Sequence, residues 1–197
     1  MNQDYRKLSI VLKKYFSLSA SIFFLFFCLG FIFSLIFPEI AGAKITQLQK
    51  EFDFINNLSP LSLGIFIFLN NFIKISIFIF LGVLFAIPTI FFLTVNGFLL
   101  GFVFGFAYPI IGLKESINAL IYHGTFELTA LFIGSSLGIY LGKLAISEIR
   151  KKNNIKSLLK LEKIKSHLLL SVKTIFFIIL PLLAIAAIIE AFLIVSH

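Results

Sequence analysis

The chain has 197 residues, of which 59% are hydrophobic and only 13% are charged, and its formal net charge is +8. Soluble domains contain roughly 45–50% apolar and about 25% charged residues, so this composition excludes an ordinary soluble protein. Five membrane spans of about 20 residues would use about 100 residues, which leaves no room for a separate soluble catalytic, nucleotide-binding or receptor domain. We therefore predict an all-α, polytopic membrane helical bundle that forms a single domain over residues 1–197.

The first apolar segment, residues 17–37, is uncharged and long enough for one membrane helix. The Ala41-Gly42-Ala43 sequence that follows is similar to a signal-peptidase site. The apolar stretch before it is about twice as long as the core of a signal peptide, which favours an uncleaved membrane anchor.

Residues 61–111 carry a single charge, Lys74, and are too many for one span. Pro88 interrupts them, because proline breaks a helix that continues through it. This pattern predicts a hairpin of two spans, residues 63–87 and 89–108, joined by a tight turn.

Two further apolar segments predict the fourth and fifth spans. The fourth, residues 116–141, carries Glu127 within it, and the fifth, residues 169–195, carries Lys173 near its start and Glu190 near its end. The count of about five transmembrane helices follows from length and composition alone.

Lysine and arginine are concentrated in two segments, which predicts the topology. Four lie before the first span and eight lie between the fourth and fifth spans. They are Arg6, Lys7, Lys13 and Lys14, then Lys143, Arg150, Lys151, Lys152, Lys156, Lys160, Lys163 and Lys165. Four spans separate these segments, so both fall on one side, which the positive-inside rule assigns to the cytoplasm. We predict a multi-pass protein of the cell membrane with its N-terminus cytoplasmic and its C-terminus outside.

Three connecting segments show apolar residues at helical spacing and are predicted to be short amphipathic surface helices. The residues are Tyr5, Leu8, Leu12 and Tyr15, then Ile45, Leu48, Phe52 and Ile55, then Leu161, Ile164 and Leu168. Basic helices beside membrane spans favour anionic lipid, so membrane lipid is an expected partner. The basic residues show no nucleic-acid motif and no aromatic interleaving, so nucleic acid is not an expected partner.

Polar side chains within the spans are costly in lipid and mark helix packing or a functional site. The predicted buried polar cluster comprises Asn70, Asn71, Lys74, Asn96, His123 and Glu127. Lys74, Asn96 and Glu127 lie roughly 16–18 Å from the outer ends of their spans at 1.5 Å per residue, near one level. We expect Lys74 and Glu127 to form a buried ion pair, because each charge alone would be costly in hydrocarbon.

Glycine recurs at every fourth position on the third and fourth spans, a spacing that lets helix backbones approach closely. These glycines are Gly97, Gly101 and Gly105, then Gly134, Gly138 and Gly142. The two stripes predict packing of the third span against the fourth, or across a homodimer.

No catalytic, metal or cofactor site is expected. The G-x-S-x-G pattern at residues 134–138 falls within a membrane helix, whereas a nucleophile elbow requires a strand-to-helix turn. His123 and Glu127 supply two potential zinc ligands where at least three are needed, and Cys28 has no second cysteine.

Three segments read together resemble the stage II sporulation protein M family of integral membrane proteins. They are Phe68-Leu69-Asn70-Asn71, Asn96-Gly97-x-x-x-Gly101 and Tyr122-His123-Gly124-Thr125-Phe126-Glu127-Leu128-Thr129-Ala130. Family members usually carry proline where this chain has Tyr122. By motif position the resemblance implicates Asn71, Asn96, Gly97, His123, Gly124 and Glu127.

The resemblance implies a polytopic protein of bacteria or archaea whose namesake is the membrane scaffold of a cell-wall-degrading complex. We expect a non-enzymatic scaffold or assembly factor with membrane or extracytoplasmic protein partners, and homo-oligomerisation is left open. The first alternative is a small transporter or channel that uses His123, Glu127 and Lys74 as a relay. The second is an intramembrane enzyme acting on lipid or peptide.

Overall fold

A computed structural model describes residues 3–51, 53–150 and 157–195, which form helices joined by short turns and include no β-strand. The all-α fold class is thereby confirmed. The α-helices are α1 Gln3–Ile36, α2 Pro38–Glu51, α3 Pro60–Leu81, α4 Ile87–Ile111, α5 Leu113–Arg150, α6 Ser157–Thr174 and α7 Leu180–Val195. A 3₁₀ helix, Asp53–Asn57, precedes α3, and a π-helical turn, Ile175–Ile179, joins α6 to α7.

Within the described residues, five helical segments are long and apolar enough to cross a membrane. They are Leu8–Ile36, Pro60–Leu81, Ile87–Ile111, Gly124–Arg150 and Ile164–Ile189. These segments correspond one to one with the five predicted spans, and the protein is a multi-pass membrane protein.

The turn of the α3–α4 hairpin lies before Pro88, not at it. Residues 82–86 form the turn, and its last two residues have positive φ values of 58° and 64°. Pro88 lies in the first turn of α4, where its missing N–H would have no helical acceptor in any case. The Thr89 hydroxyl donates to the Phe78 carbonyl oxygen at 2.7 Å and closes the hairpin.

Aromatic contacts show how the long helices are directed. Tyr15 lies against Tyr140 at 5.8 Å between ring centroids, and Phe23 lies against Phe132 at 5.3 Å, so α1 and α5 are antiparallel. Lys14, on α1, and Lys143, on α5, therefore lie at the same end of the bundle, which we call the basic end. The other end, where α2 lies, is called the α2 end.

The N-terminal segment is not a separate surface helix, contrary to the prediction. It continues directly into α1, where the predicted Leu8 and Tyr15 are buried in the hydrophobic core together with Val11, and Leu12 packs against them. The side chains of Tyr5 and Lys7 lie outside the described residues. The 34 residues of α1 and the 38 of α5 extend about 51 and 57 Å, well beyond a hydrocarbon core of about 30 Å. Since the apolar side chains near the start of α1 are buried in the protein core, the protein covers them and lipid does not.

The other two predicted surface helices have different outcomes. The segment after α1 forms a separate helix, α2, which contains the predicted Ile45 and Leu48. Phe52 and the side chain of Ile55 lie outside the described residues. The basic segment before the fifth span merges with that span through α6 and the π-helical turn. Lys151, Lys152 and Lys156 lie outside the described residues, as do the side chains of Lys160, Leu161, Lys163 and Glu190.

Candidate functional site

A hydrogen bond between α3 and α5 forms the centre of the candidate site. The Asn71 amide nitrogen donates to a carboxylate oxygen of Glu127 across the interface, and both groups are partly buried. Asn71 lies in the middle of α3, whose 22 residues match the thickness of a hydrocarbon core. Because a polar group in lipid is costly without a partner, this bond ties the two helices together.

Asn96 completes the site from α4. Its amide nitrogen donates to the Phe92 carbonyl oxygen at 2.7 Å, one turn earlier on the same helix. Asn71, Asn96 and Glu127 together line a cavity of about 140 Å³, which we call the central cavity. We call these three residues the polar cluster.

The central cavity is otherwise apolar. Phe23 of α1, Leu131 of α5 and Leu183 of α7 are among the side chains that surround it. Each of the five membrane-crossing segments therefore contributes to it, since α3 and α4 supply the asparagines.

A second cavity, of about 320 Å³, lies between α4 and α5 on the side of the α2 end. It extends from Glu127 toward Ile111 and Ser116, beside the turn that joins the two helices, and Gly124 also lines it. Glu127 contributes to the lining of both cavities, as do Leu100 and Leu128. We call this space the α4–α5 cavity.

The predicted Lys74–Glu127 ion pair is wrong. Lys74 is exposed on the surface of the bundle, while Glu127 accepts a hydrogen bond from Asn71. Asn71 and Ile75 lie one turn apart on the buried face of α3, and Lys74 lies beside that face. The shorter asparagine thus satisfies the carboxylate from the position where the helices touch.

The remaining predicted members of the cluster differ in position. Asn70 is partly buried, one turn before Lys74. The backbone of His123 lies in α5 one turn before Glu127, but its side chain lies outside the described residues. Gly124 is buried, and a methyl group there would meet Leu128 at 3.3 Å.

The glycine stripe of α4 packs against α1, not against α5. A Cβ atom at Gly97 would overlap the Phe23 carbonyl oxygen, and one at Gly101 would overlap that of Phe27. At Gly105 a Cβ atom would overlap the Ser34 hydroxyl. The helices therefore meet backbone to backbone, as small residues at this spacing permit.

The glycine stripe of α5 packs against α3 and the α3–α4 turn. A Cβ atom at Gly134 would lie 2.6 Å from a methyl group of Ile75, and one at Gly142 would lie 2.6 Å from the Gly82 carbonyl oxygen. At Gly138 it would overlap the Thr89 hydroxyl. The two stripes thus do not face each other, and contacts within one chain occupy both.

A second constellation, which the sequence analysis did not single out, lies at the basic end. The Tyr140 hydroxyl is 3.2 Å from His167 Nε2, and Lys14 and Lys143 lie nearby over the Tyr15 ring. In the sequence, both lysines belong to the basic segments that predict the topology, and Lys14 also to a basic segment that favours anionic lipid. The spacing of Tyr140 and Lys143, three residues apart on one helix, would have placed them on a common face.

The family model described as stage II sporulation protein M matches residues 20–193. This range contains the polar cluster, both glycine stripes and all three segments that carry the resemblance. No curated protein and no solved structure matches the chain.

Proposed function

The chain belongs to the stage II sporulation protein M family, and on that premise we propose that it is a non-enzymatic membrane scaffold that organises partner proteins at the cell membrane. The proposed partners are membrane or extracytoplasmic proteins, and a further copy of this chain is one of the candidates. The exposed position of Lys74 within a membrane helix is the observation that carries this proposal.

Lys74 lies within α3, about 10 Å before the helix ends at Leu81, and its side chain is exposed. Ile73 and Ile77 beside it are also exposed, at 51% and 48%, as is typical of a lipid-facing surface. A lysine costs about 2.5–3.5 kcal/mol at the very centre of a membrane helix on insertion scales, and Lys74, about 5 Å beyond the midpoint of α3, bears part of that cost. A partner helix that presents a carboxylate or carbonyl acceptor at this level would offset that cost.

The α2 end offers a second exposed surface. Gly42 faces the Phe106 ring of α4, and a Cβ atom at Gly42 would lie 3.5 Å from a carbon of that ring. This side of α2 therefore packs against the bundle. On the exposed side, Lys44 donates to the Gln47 side chain at 3.0 Å, and Gln47 donates to Glu51 at 2.8 Å. This ordered polar row supports contact with an extracytoplasmic protein.

The polar cluster fits the same function as a structural element. The Asn71–Glu127 hydrogen bond holds α3 in register with α5, and so keeps Lys74 directed away from the bundle. A scaffold requires a surface of fixed geometry, and a buried polar contact specifies one helix register over its alternatives.

The experiment compares partner recovery from native membranes by chemical crosslinking and mass spectrometry, using the full chain and a Lys74→Leu variant. We expect a stoichiometric partner with the wild type and its loss with Lys74→Leu. Lys114→Leu is the matched control, because Lys114 is exposed near the start of α5, away from the middle of the membrane. A wild-type protein that repeatedly emerges alone, or a partner retained by Lys74→Leu, would contradict the proposal.

The proposed orientation places the basic end in the cytoplasm. The antiparallel packing of α1 and α5 puts Lys14 and Lys143 at one end, in agreement with the parity argument. Single cysteines at residues 47 and 165, each in a Cys28→Ser background, test this with a membrane-impermeant thiol reagent on intact cells. Labelling at position 47 and protection at position 165 are expected, and the reverse pattern would invert the topology.

The second candidate function is a small transporter or channel, favoured by the position of Glu127 in the lining of two cavities. Glu127 lines both the central cavity and the α4–α5 cavity, and intramembrane ionisable residues commonly mark ion pathways. Flux in proteoliposomes tests it with Glu127→Gln, and Glu115→Gln on the exposed first turn of α5 is the matched control. Flux that Glu127→Gln leaves unchanged would remove this candidate.

A further inference from the structure

A pocket of about 410 Å³ lies at the basic end between α1, α5 and α6. Its polar lining consists of the side chains of Lys14, Tyr15, Tyr140, Lys143, Ser147 and His167. Its volume lies in the range of small-ligand sites, roughly 300–1,000 Å³. We call it the basic pocket.

Two positive charges converge on one side of the basic pocket. Lys14 Nζ lies 5.9 Å from the centroid of the Tyr15 ring, and Lys143 Nζ lies 6.0 Å from the same centroid. Cation–π attraction toward the ring favours each position. The two like charges nevertheless repel one another, and an anion between them would relieve that repulsion.

The other polar groups of the pocket are held in place. The Tyr140 hydroxyl and His167 Nε2 are 3.2 Å apart, and their rings meet edge to face at 4.9 Å between centroids. Among the described residues that line the pocket there is no carboxylate, and Glu148, the next acid along α5, is buried outside this lining. The pocket is therefore rich in hydrogen-bond donors and positive charge.

The position of the basic pocket along α5 places it at the level of lipid headgroups. Tyr140 and Lys143 follow Glu127 by 13 and 16 residues, or about 20 and 24 Å along the helix axis. Glu127 pairs with Asn71 at the middle of α3, and half of a bilayer with its headgroups is about 20–22 Å. Ile10, which also lines the pocket, is 62% exposed and offers an apolar surface for an acyl chain.

We propose that the basic pocket binds a phosphate group, supplied by the headgroup of an anionic phospholipid. Lys14 and Lys143 neutralise the phosphate. With His167 Nε2–H as the donor to the Tyr140 oxygen, the Tyr140 O–H is left to donate a hydrogen bond to the phosphate. Basic pockets between membrane helices are suited to such headgroups. The proposal does not depend on the scaffold function, since it concerns lipid at the opposite end from α2.

The test is calorimetric titration of the full chain in a neutral detergent with dioctanoyl phosphatidylglycerol, dioctanoyl phosphatidylcholine and inorganic phosphate. We expect the anionic lipid to bind at least about tenfold more tightly than the zwitterionic one, because each basic residue near anionic lipid contributes about 1 kcal/mol. The variant Lys14→Gln/Lys143→Gln should lose that preference, and Lys14→Arg/Lys143→Arg should retain it.

The matched control is Lys13→Gln/Lys165→Gln, which removes two exposed positive charges from the same end of the bundle but none from the pocket lining. It should leave the affinity for phosphatidylglycerol within about twofold, and circular dichroism should show every variant folded. Inorganic phosphate that binds as tightly as the lipid, and with the same dependence on the two lysines, would assign the site to soluble phosphate. Equal binding of both lipids, or equal losses in the control and pocket variants, would overturn the proposal.

Discussion

The polar cluster and the basic pocket both use α5, and they differ in how their polar groups are satisfied. In the polar cluster, Glu127 accepts a hydrogen bond from Asn71 of the same chain, among apolar side chains. In the basic pocket, Lys14 and Lys143 both line one space, and the described residues of that lining include no carboxylate to pair with them. Deep in hydrocarbon a polar group needs a partner from protein, whereas at headgroup level a donor can serve a lipid or a soluble ligand.

Among the variants of these two regions, Asn71→Leu should have the largest effect on the free energy of unfolding. Asn71→Leu should reduce the free energy of unfolding by about 1–3 kcal/mol, because it removes the amide that donates to the partly buried Glu127 carboxylate. Thermal unfolding in detergent, followed by circular dichroism, measures the effect. Asn70→Leu is the matched control, since Asn70 is the adjacent, partly buried asparagine and should tolerate the change. Equal losses in both variants would show that the hydrogen bond is not the cause.

The coupling free energy between Asn71 and Glu127, measured by a double-mutant cycle, should be smaller than the loss of stability in Asn71→Leu. Combining Asn71→Leu with Glu127→Leu should yield a coupling free energy above zero and at most about 1.7 kcal/mol, since hydrogen bonds between membrane helices average about 0.6 kcal/mol with that maximum. The same unfolding measurement on the two single variants and the double variant supplies it. A coupling of zero would mean that the two side chains act independently.

A still smaller effect is expected at the basic end. Tyr140→Phe removes the hydroxyl that lies 3.2 Å from His167 Nε2, and should cost about 0.5–1 kcal/mol of stability, the net value of a typical hydrogen bond. Tyr108→Phe, on the exposed surface of α4, provides the comparison and should change less. If Tyr140→Phe lost as much unfolding free energy as Asn71→Leu, the expected difference between the basic pocket and the polar cluster would be contradicted.

The smallest effect on stability is expected at Lys143. Lys143→Gln should change the free energy of unfolding in lipid-free detergent by less than about 0.5 kcal/mol, because its side chain is exposed. Its affinity for phosphatidylglycerol should fall nonetheless. The stability and the lipid titration are measured on one preparation, and a Lys143 variant that fails to fold would argue that the lysine is structural.

Much of the fold is predictable because the membrane restricts it so strongly. Every backbone polar group in hydrocarbon must be paired within the chain, so each long apolar segment is a helix. The five segments and their order follow from length and composition. The break between the two spans was predicted at Pro88, but Pro88 lies in the first turn of α4. A proline can either end one helix or begin the next, and only the packing of the turn decides between these positions.

The candidate site was less predictable from the sequence. Depth arithmetic placed Lys74, Asn96 and Glu127 at one level, and of these three Asn96 and Glu127 line one cavity. Asn71, which lines the same cavity, was predicted from its polarity within a span and its motif position, not from depth. The same arithmetic carries no information about rotation, and it paired Glu127 with Lys74, which is exposed. The basic pocket was missed because a positive-inside count treats Lys14 and Lys143 as equivalent to every other basic residue.

By itself, the sequence determined the five spans and the family to which the chain belongs, and it predicted that Lys14 and Lys143 lie at one end of the bundle. It also identified the small surfaces of α4 and α5, since glycine at every fourth position leaves a groove on any helix. Only the tertiary structure decided that the α4 groove holds α1 and the α5 groove holds α3, and that Asn71, not Lys74, reaches Glu127. Depth is a property of one helix and can be counted along the chain, but the rotation and neighbours of a helix depend on how all of the helices pack together.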